Sequence, residues 1–235
     1  MLSLTAIIGM GSLAAFFVFL YAGPFNWVKL NLTELQAMAL NILLSFLFFF
    51  QHSGMVRRSF RRQLTRFVPS HYQGAVYTIM SGLVLLLFLV LWQASDTVLH
   101  KFEGLPEIII RGFFFLAMLG TVWGVWALRF VDLFGMDAVT RHLLAKATAA
   151  RPFTVRGPYR WVRHPLYLFT IVFFWCYPVI TADRLLFNIL WTIWVIVGAR
   201  LEERELVEDF GDNYRDYRAR VPMLLPRSIR PAWRD

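Results

Sequence analysis

The chain has one cysteine, Cys176, in 235 residues, which excludes an internal disulfide, a paired-thiol motif and a cysteine-based metal site. Charge is scarce too: Asp, Glu, Lys and Arg make up only 17% of the residues, with 15 acidic side chains against 24 basic ones. No fixed-period repeat, low-complexity tract or long linker divides the chain, so a single domain over residues 1–235 is expected. What fills the space is apolar. Hydrophobic residues reach 58%, far above the level of a soluble domain, which makes the bilayer the natural solvent.

Uncharged, mostly apolar runs recur at Leu2–Tyr21, Leu35–Phe50, Ala75–Trp92, Gly112–Leu128, Leu166–Ala182 and Leu185–Ala199. A helix needs about 20 such residues to cross the hydrocarbon. The expected fold is therefore all-α and polytopic, with about six transmembrane helices. Only Asp183 and Arg184 separate the last two runs, which predicts a tight hairpin whose arms need not cross completely. The first run competes with a cleaved signal peptide, but no Lys or Arg precedes it and no clear small-residue cleavage site follows, so a retained helix is expected. Cys176 falls inside the fifth run, where buried packing is its expected role.

Six spans divide the basic residues very unevenly. Lys29, Lys101, Arg111 and Arg184 lie on one side; the other side takes five between Arg57 and Arg66, seven between Arg129 and Arg163, and eight from Arg200 to Arg234. Lys and Arg are retained on the cytoplasmic side, so both termini, the long inner loops and the tail are expected on the cytoplasmic face. The net charge of +9 reads as topology determinants rather than a nucleic-acid surface, because the basic residues follow the span ends and not one helix or ribbon.

The loop after the fourth run starts with the turn Asp132-Leu133-Phe134-Gly135, continues as a short interfacial helix around Asp137–Ala149 and reaches a stretch punctuated by Pro152, Gly157 and Pro158. Beyond the sixth run, Leu201–Phe210 reads as a helix stopped by Gly211, and Asn213–Arg220 as a second one with Tyr214 and Tyr217 on one face. Together they predict a short helical cap at the C-terminal end.

The most informative segment is Arg156-Gly157-Pro158-Tyr159-Arg160-Trp161-Val162-Arg163-His164-Pro165-Leu166-Tyr167. Pro165 suits the first turn of a helix and His164 its cap, so free N–H groups and nearby arginines favour an anion such as a carboxylate. Lipid head-group binding is the plainer alternative for the arginines. A hairpin then returns Arg200-Leu201-Glu202-Glu203-Arg204 to the same side. Acceptors for amines and hydroxyls beside donors for a carboxylate are what a zwitterionic nucleoside such as S-adenosylmethionine requires.

Residues Gly157 to Tyr167, followed by Glu202-Glu203 and Phe210-Gly211-Asp212-Asn213-Tyr214 with Tyr217, resemble the C-terminal signature of the isoprenylcysteine carboxyl methyltransferase and phospholipid methyltransferase superfamily. The resemblance implies S-adenosylmethionine as cofactor, held mainly by residues 151–217, with Tyr159, Arg163, His164, Pro165, Tyr167, Glu202 and Glu203 as contacts and no metal. Gln51-His52-Ser53-Gly54-Met55-Val56-Arg57, Asp132-Leu133-Phe134-Gly135, Leu201-Glu202-Glu203-Arg204 and Val221-Pro222-Met223-Leu224-Leu225-Pro226 resemble the bacterial methanethiol S-methyltransferases, which form dimethyl sulfide. A bacterial inner membrane follows from that likeness. The chain departs from the pattern at Met136-Asp137-Ala138, where Leu-Arg-Gln is expected, and at Tyr72-Gln73-Gly74, where a more charged sequence is usual.

Methyl transfer from a sulfonium is an in-line displacement, so a protein has mainly to align and desolvate the nucleophile. For a thiol acceptor, His52 is the candidate base, the alternative being a hydrogen-bonded interfacial histidine. Asp132 either orients it or holds its own turn. Carboxyl methylation of isoprenylcysteine or another lipid-like acceptor is the nearest alternative, and phospholipid N-methylation a third. A transporter or scaffold is disfavoured, since ionisable residues gather at span ends and no two halves match. The expected partners are a small thiol or lipid-like substrate and membrane lipids, with no nucleic acid and no obligate protein partner.

Overall fold

A computed structural model describes residues 1–128, 132, 134–144 and 153–233. Five of its helices are long and apolar enough to cross a membrane: α1 (Leu2–Ala22), α2 (Glu34–Val56), α4 (Ser70–Leu91), α5 (Leu105–Leu128) and α8 (Ala182–Phe210). Between them lie α3 (Arg58–Leu64), α6 (Asp137–Leu143), a 3-10 turn at Gly157–Arg160, α7 (Pro165–Trp175) and, at the end, α9 (Asp212–Arg220). Two short strands, β1 (Val98–Lys101) and β2 (Val179–Thr181), pair antiparallel. The expected all-α membrane architecture is present, and the chain is an integral membrane protein.

The fifth apolar run takes a different form from the other five. As α7 it is helical for only 11 residues, about 16 Å at the helical rise against a hydrocarbon thickness of about 30 Å. Pro178 cannot supply the helical N–H, and the chain continues extended into β2. The reversal thus occurs over residues 176–181, and Asp183 and Arg184, read from sequence as the link, sit instead in the first turn of α8. Cys176 caps α7 and is buried, rather than lying within a span. Of the interfacial helix expected over Asp137–Ala149, α6 supplies the first half; residues 145–149, with Arg151 and Pro152, lie outside the described residues.

The structure groups into two compact units. The first contains residues 1–101, 132–149 and 179–187; the second contains 102–131, 150–178 and 188–235. In the first unit α1 and α4 pack through small residues. A Cβ on Gly9 would stand 2.6 Å from Thr78 Cγ2, and one on Gly82 would stand 2.6 Å from Ile8 Cγ2 and 3.1 Å from the Ile8 carbonyl oxygen. Such close backbone approach is how helices associate where lipid removes the hydrophobic driving force. α2 begins with a reciprocal cap, Thr33 Oγ1 accepting from Gln36 N while Gln36 Oε1 accepts from Thr33 N.

Several buried polar groups near the C-terminal ends of α1 and α4 are hydrogen-bonded within the protein. Asn41 and the Gln93 backbone exchange two hydrogen bonds of 2.8 and 3.0 Å. Asp183 accepts from Trp92 Nε1, Ser95 N and Thr181 Oγ1. The Arg184 guanidinium donates to the Leu20 carbonyl at 3.1 Å and lies over the rings of Phe19 and Phe187.

Candidate active site

In the second unit the informative segment folds as its residue types require. Gly157 adopts φ +52°, and a Cβ there would come within 2.8 Å of Ala127 Cβ, so only glycine lets the 3-10 turn lie against α5. Pro165 occupies the first turn of α7 and His164 its cap position. The chain between them is pinned from the far end of the sequence: Arg163 N donates to the Pro222 carbonyl at 2.9 Å and His164 N to that of Met223 at 3.1 Å. The tail is tied again further on, Ala232 and Trp233 N donating to the Arg160 carbonyl and Trp161 Nε1 to that of Ile229.

Glu203 organises the two central side chains. One oxygen, Oε1, accepts from Arg163 Nε at 2.6 Å and from His164 Nε2 at 3.1 Å. The Arg163 and Glu203 side chains are each 10% exposed, so this pair is largely withdrawn from water and held by geometry, not by a loose surface attraction. Arg163 Nη1 also donates to the Val221 and Arg218 carbonyls. Glu202 Oε2 lies 3.7 Å from His164 Nδ1, and the Tyr167 ring stacks on that of His164 at 5.3 Å.

Against these residues lies a cavity of about 530 Å³. Arg156, Arg163, His164 and Glu202 give it a charged wall, and Phe153, Phe210, Tyr214 and Tyr217 an aromatic one. Ala127, Leu128 and Leu166 form a third wall, which is aliphatic. The aromatic wall is itself a small core: Tyr214, Tyr217 and Val221 are buried together, with Phe153 edge-on to both tyrosines. Burial pushes the hydroxyls of Tyr159, Tyr214 and Tyr217 above the ordinary phenol range, the Glu202 charge adding to it at Tyr159, so all three stay protonated and neutral. Tyr217 Oη donates to the Tyr159 carbonyl at 2.6 Å. The Tyr214 hydroxyl is buried with no hydrogen-bond partner among the described residues.

Of the residues expected at a cofactor site, Tyr159, Arg163, His164, Tyr167 and Glu202 line the cavity together. Pro165 and Glu203 do not line it; Glu203 holds Arg163 and His164, which do, and Pro165 starts α7 between the lining residues His164 and Leu166. Phe153, Arg156, Leu206, Phe210, Tyr214 and Tyr217 also line it and were not among the contacts expected from sequence. Leu206 and Phe210 carried a readable signal, since they follow Glu202 at i+4 and i+8 on one helix face. Phe153 carried none, being an isolated aromatic residue in a loop.

In the first unit, the Tyr77 hydroxyl lies 2.8 Å from Nε2 and 3.1 Å from Nδ1 of His52, whose ring also packs on Phe48. Tyr77 was not anticipated. Asp132 accepts from Met136 N at 2.9 Å with one oxygen and from Asp137 N at 2.7 Å with the other. It holds the turn into α6 and does not hydrogen-bond His52. No cluster of three metal-ligating side chains occurs among the described residues.

The phospholipid methyltransferase family matches residues 109–213, a stretch that includes most of the cavity wall. Methanethiol S-methyltransferase 1 of Bradyrhizobium diazoefficiens is 38% identical over 199 residues, covering 81% of this chain and 67% of that protein. Methanethiol S-methyltransferase of Mycobacterium tuberculosis is 35% identical over 192 residues, covering 81% and 79%. Protein-S-isoprenylcysteine O-methyltransferase of Rattus norvegicus matches more narrowly, 32% over 110 residues and 42% of this chain. No solved structure matches the chain. Likeness of this extent places the chain in the methanethiol S-methyltransferase family of membrane methyltransferases.

Proposed function

We propose that this enzyme transfers the methyl group of S-adenosylmethionine to a small thiol, methanethiol being the acceptor that fits the names of its relatives, at a site facing the cytoplasm. The supporting observation is the cavity beside His164, with charged, aromatic and aliphatic walls. The donor set fits the cofactor. Arg163, with Nη2 unpartnered among the described residues, suits a carboxylate, and Glu202 suits an ammonium group. The Tyr214 hydroxyl is a neutral donor in want of an acceptor.

When bound, S-adenosylmethionine supplies an electrophilic methyl group on a sulfonium. Glu203 keeps Arg163 and His164 in position without reorganisation, which is the contribution expected of a preorganised polar site. We assign His52 the thiol proton, with the Tyr77 hydroxyl orienting its ring. Arg163, Glu202 and Tyr214 would hold the bound cofactor while its methyl group passes to the thiolate, leaving a neutral thioether. Asp132 is given the loop-holding role alone.

Purified protein in detergent, incubated with S-adenosylmethionine and methanethiol, is expected to release dimethyl sulfide into the headspace, and the His164→Ala variant to release none. Binding of S-adenosylhomocysteine without product would remove the thiol acceptor. His52→Ala should still bind S-adenosylhomocysteine but lose turnover, and normal turnover would dismiss His52 as the base.

A further inference from the structure

The three walls of the cavity divide its work. A zwitterion with a nucleoside attached has use for the charged wall and the aromatic wall. The third wall, Ala127 and Leu128 of α5 with Leu166 of α7, offers no polar side chain. It is the surface on which an alkyl group loses most contact with water at no polar cost.

That wall is also shut. Leu166 sits on bare helix backbone: a Cβ at Gly124 of α5 would stand 2.7 Å from Leu166 Cδ2. One turn away on both helices, a Cβ at Gly120 would stand 2.4 Å from Phe169 Cζ and 2.5 Å from Cε1. Two successive side chains of α7 therefore fill two glycine notches of α5, and the seam has no room for an alkyl chain at either level. Phe169 does not line the cavity, whereas Leu166 does.

We propose that Leu166, seated in the Gly124 notch, is a specificity-determining wall of the acceptor site and confines the acceptor to a short alkyl thiol. The proposal rests on the thiol methyl-transfer reading above. An acceptor whose longer chain follows this wall meets Leu166, which is itself backed by α5 at Gly124. Truncating that side chain opens volume inside the cavity and leaves the charged wall in place.

The test compares methanethiol with butanethiol as acceptors for the full-length protein and for Leu166→Ala, with Phe169→Ala as the control one turn deeper. In Leu166→Ala the kcat/KM ratio of butanethiol to methanethiol should rise about tenfold or more, the usual worth of a methylene-sized change in an apolar pocket. Calorimetry on protein loaded with S-adenosylhomocysteine should show the same gain as tighter butanethiol binding. Phe169→Ala should leave the ratio unchanged. Leu166→Val, expected to shift the ratio less but in the same direction, serves should the alanine variant fail to fold. A ratio unmoved by either Leu166 variant overturns the proposal, as does an equal shift in Phe169→Ala, which would mean general loosening of the seam. If the unsubstituted protein binds S-adenosylhomocysteine but methylates neither thiol, the underlying reading fails and the proposal falls with it.

Discussion

The Tyr214 hydroxyl is a buried polar group without a partner among the described residues, and such a group costs about 1–3 kcal/mol of desolvation. If a ligand satisfies it, stability and binding should respond in opposite directions. Tyr214→Phe is expected to raise the unfolding midpoint of the ligand-free protein by about 2–4 °C. It should also weaken S-adenosylhomocysteine by about fivefold, both read from thermal unfolding with and without ligand. Glu203→Gln should weaken the same ligand about tenfold by calorimetry, since one neutral amide cannot hold both Arg163 and His164 as the shared carboxylate does. An unchanged affinity would mean the pair is structural only. The adjacent Glu202 and Glu203 were read from sequence as equivalent contacts, but consecutive residues on a helix point in different directions. That periodicity puts Glu202 on the cavity and Glu203 behind the arginine.

The α1–α4 packing depends on two glycines where any side chain meets a neighbour. Gly82→Leu is expected to destabilise the protein by about 1–3 kcal/mol or prevent its accumulation, because the new atoms run into the Ile8 carbonyl, which is backbone and cannot turn aside. Thermal unfolding in detergent would measure it, with Gly11→Leu, at a site open around its Cβ, as the control. Helix existence was legible from the apolar runs, because length and absence of charge decide it in a membrane. The extents of the last two were less so. α7 stops at Trp175, and α8 continues past the apolar run without a break, so the charged Leu201–Phe210 segment is the end of a spanning helix and not a separate one. Apolarity cannot mark that boundary, since the backbone hydrogen bonds run through it. The two departures from the family pattern, Tyr72-Gln73-Gly74 and Met136-Asp137-Ala138, flank a contact that no sequence spacing announces: Gly74 and Gly135 touch backbone to backbone, and a Cβ on Gly135 would stand 2.2 Å from the Gly74 carbonyl carbon. Nearby, the His71 and His142 rings stack at 3.7 Å.

The whole molecule is asymmetric in charge, with most of its Lys and Arg in segments assigned to one side, and this makes orientation testable. In a Cys176→Ser background, a cysteine introduced at Arg62 should react with a membrane-impermeant maleimide only after the cells are opened, and one at Lys101 should react in intact cells. The reverse pattern would invert the topology and move the cavity to the other face. That Tyr159, Arg163, His164, Tyr167 and Glu202 would come together around one cavity was legible because they fall in two short, chemically dense segments. The C-terminal strap that holds Arg163 and His164 was not, because backbone carbonyls of Pro222 and Met223 have no sequence signature.

Cys176 is 5% exposed beneath the end of α7 and is the only thiol of the protein. On the thiol reading proposed above, the oxidised form of the acceptor is a disulfide, and any accessible protein thiolate would attack it. Packing withdraws the one sulfhydryl from such exchange, so an oxidised thiol acceptor is expected to leave the protein unmodified.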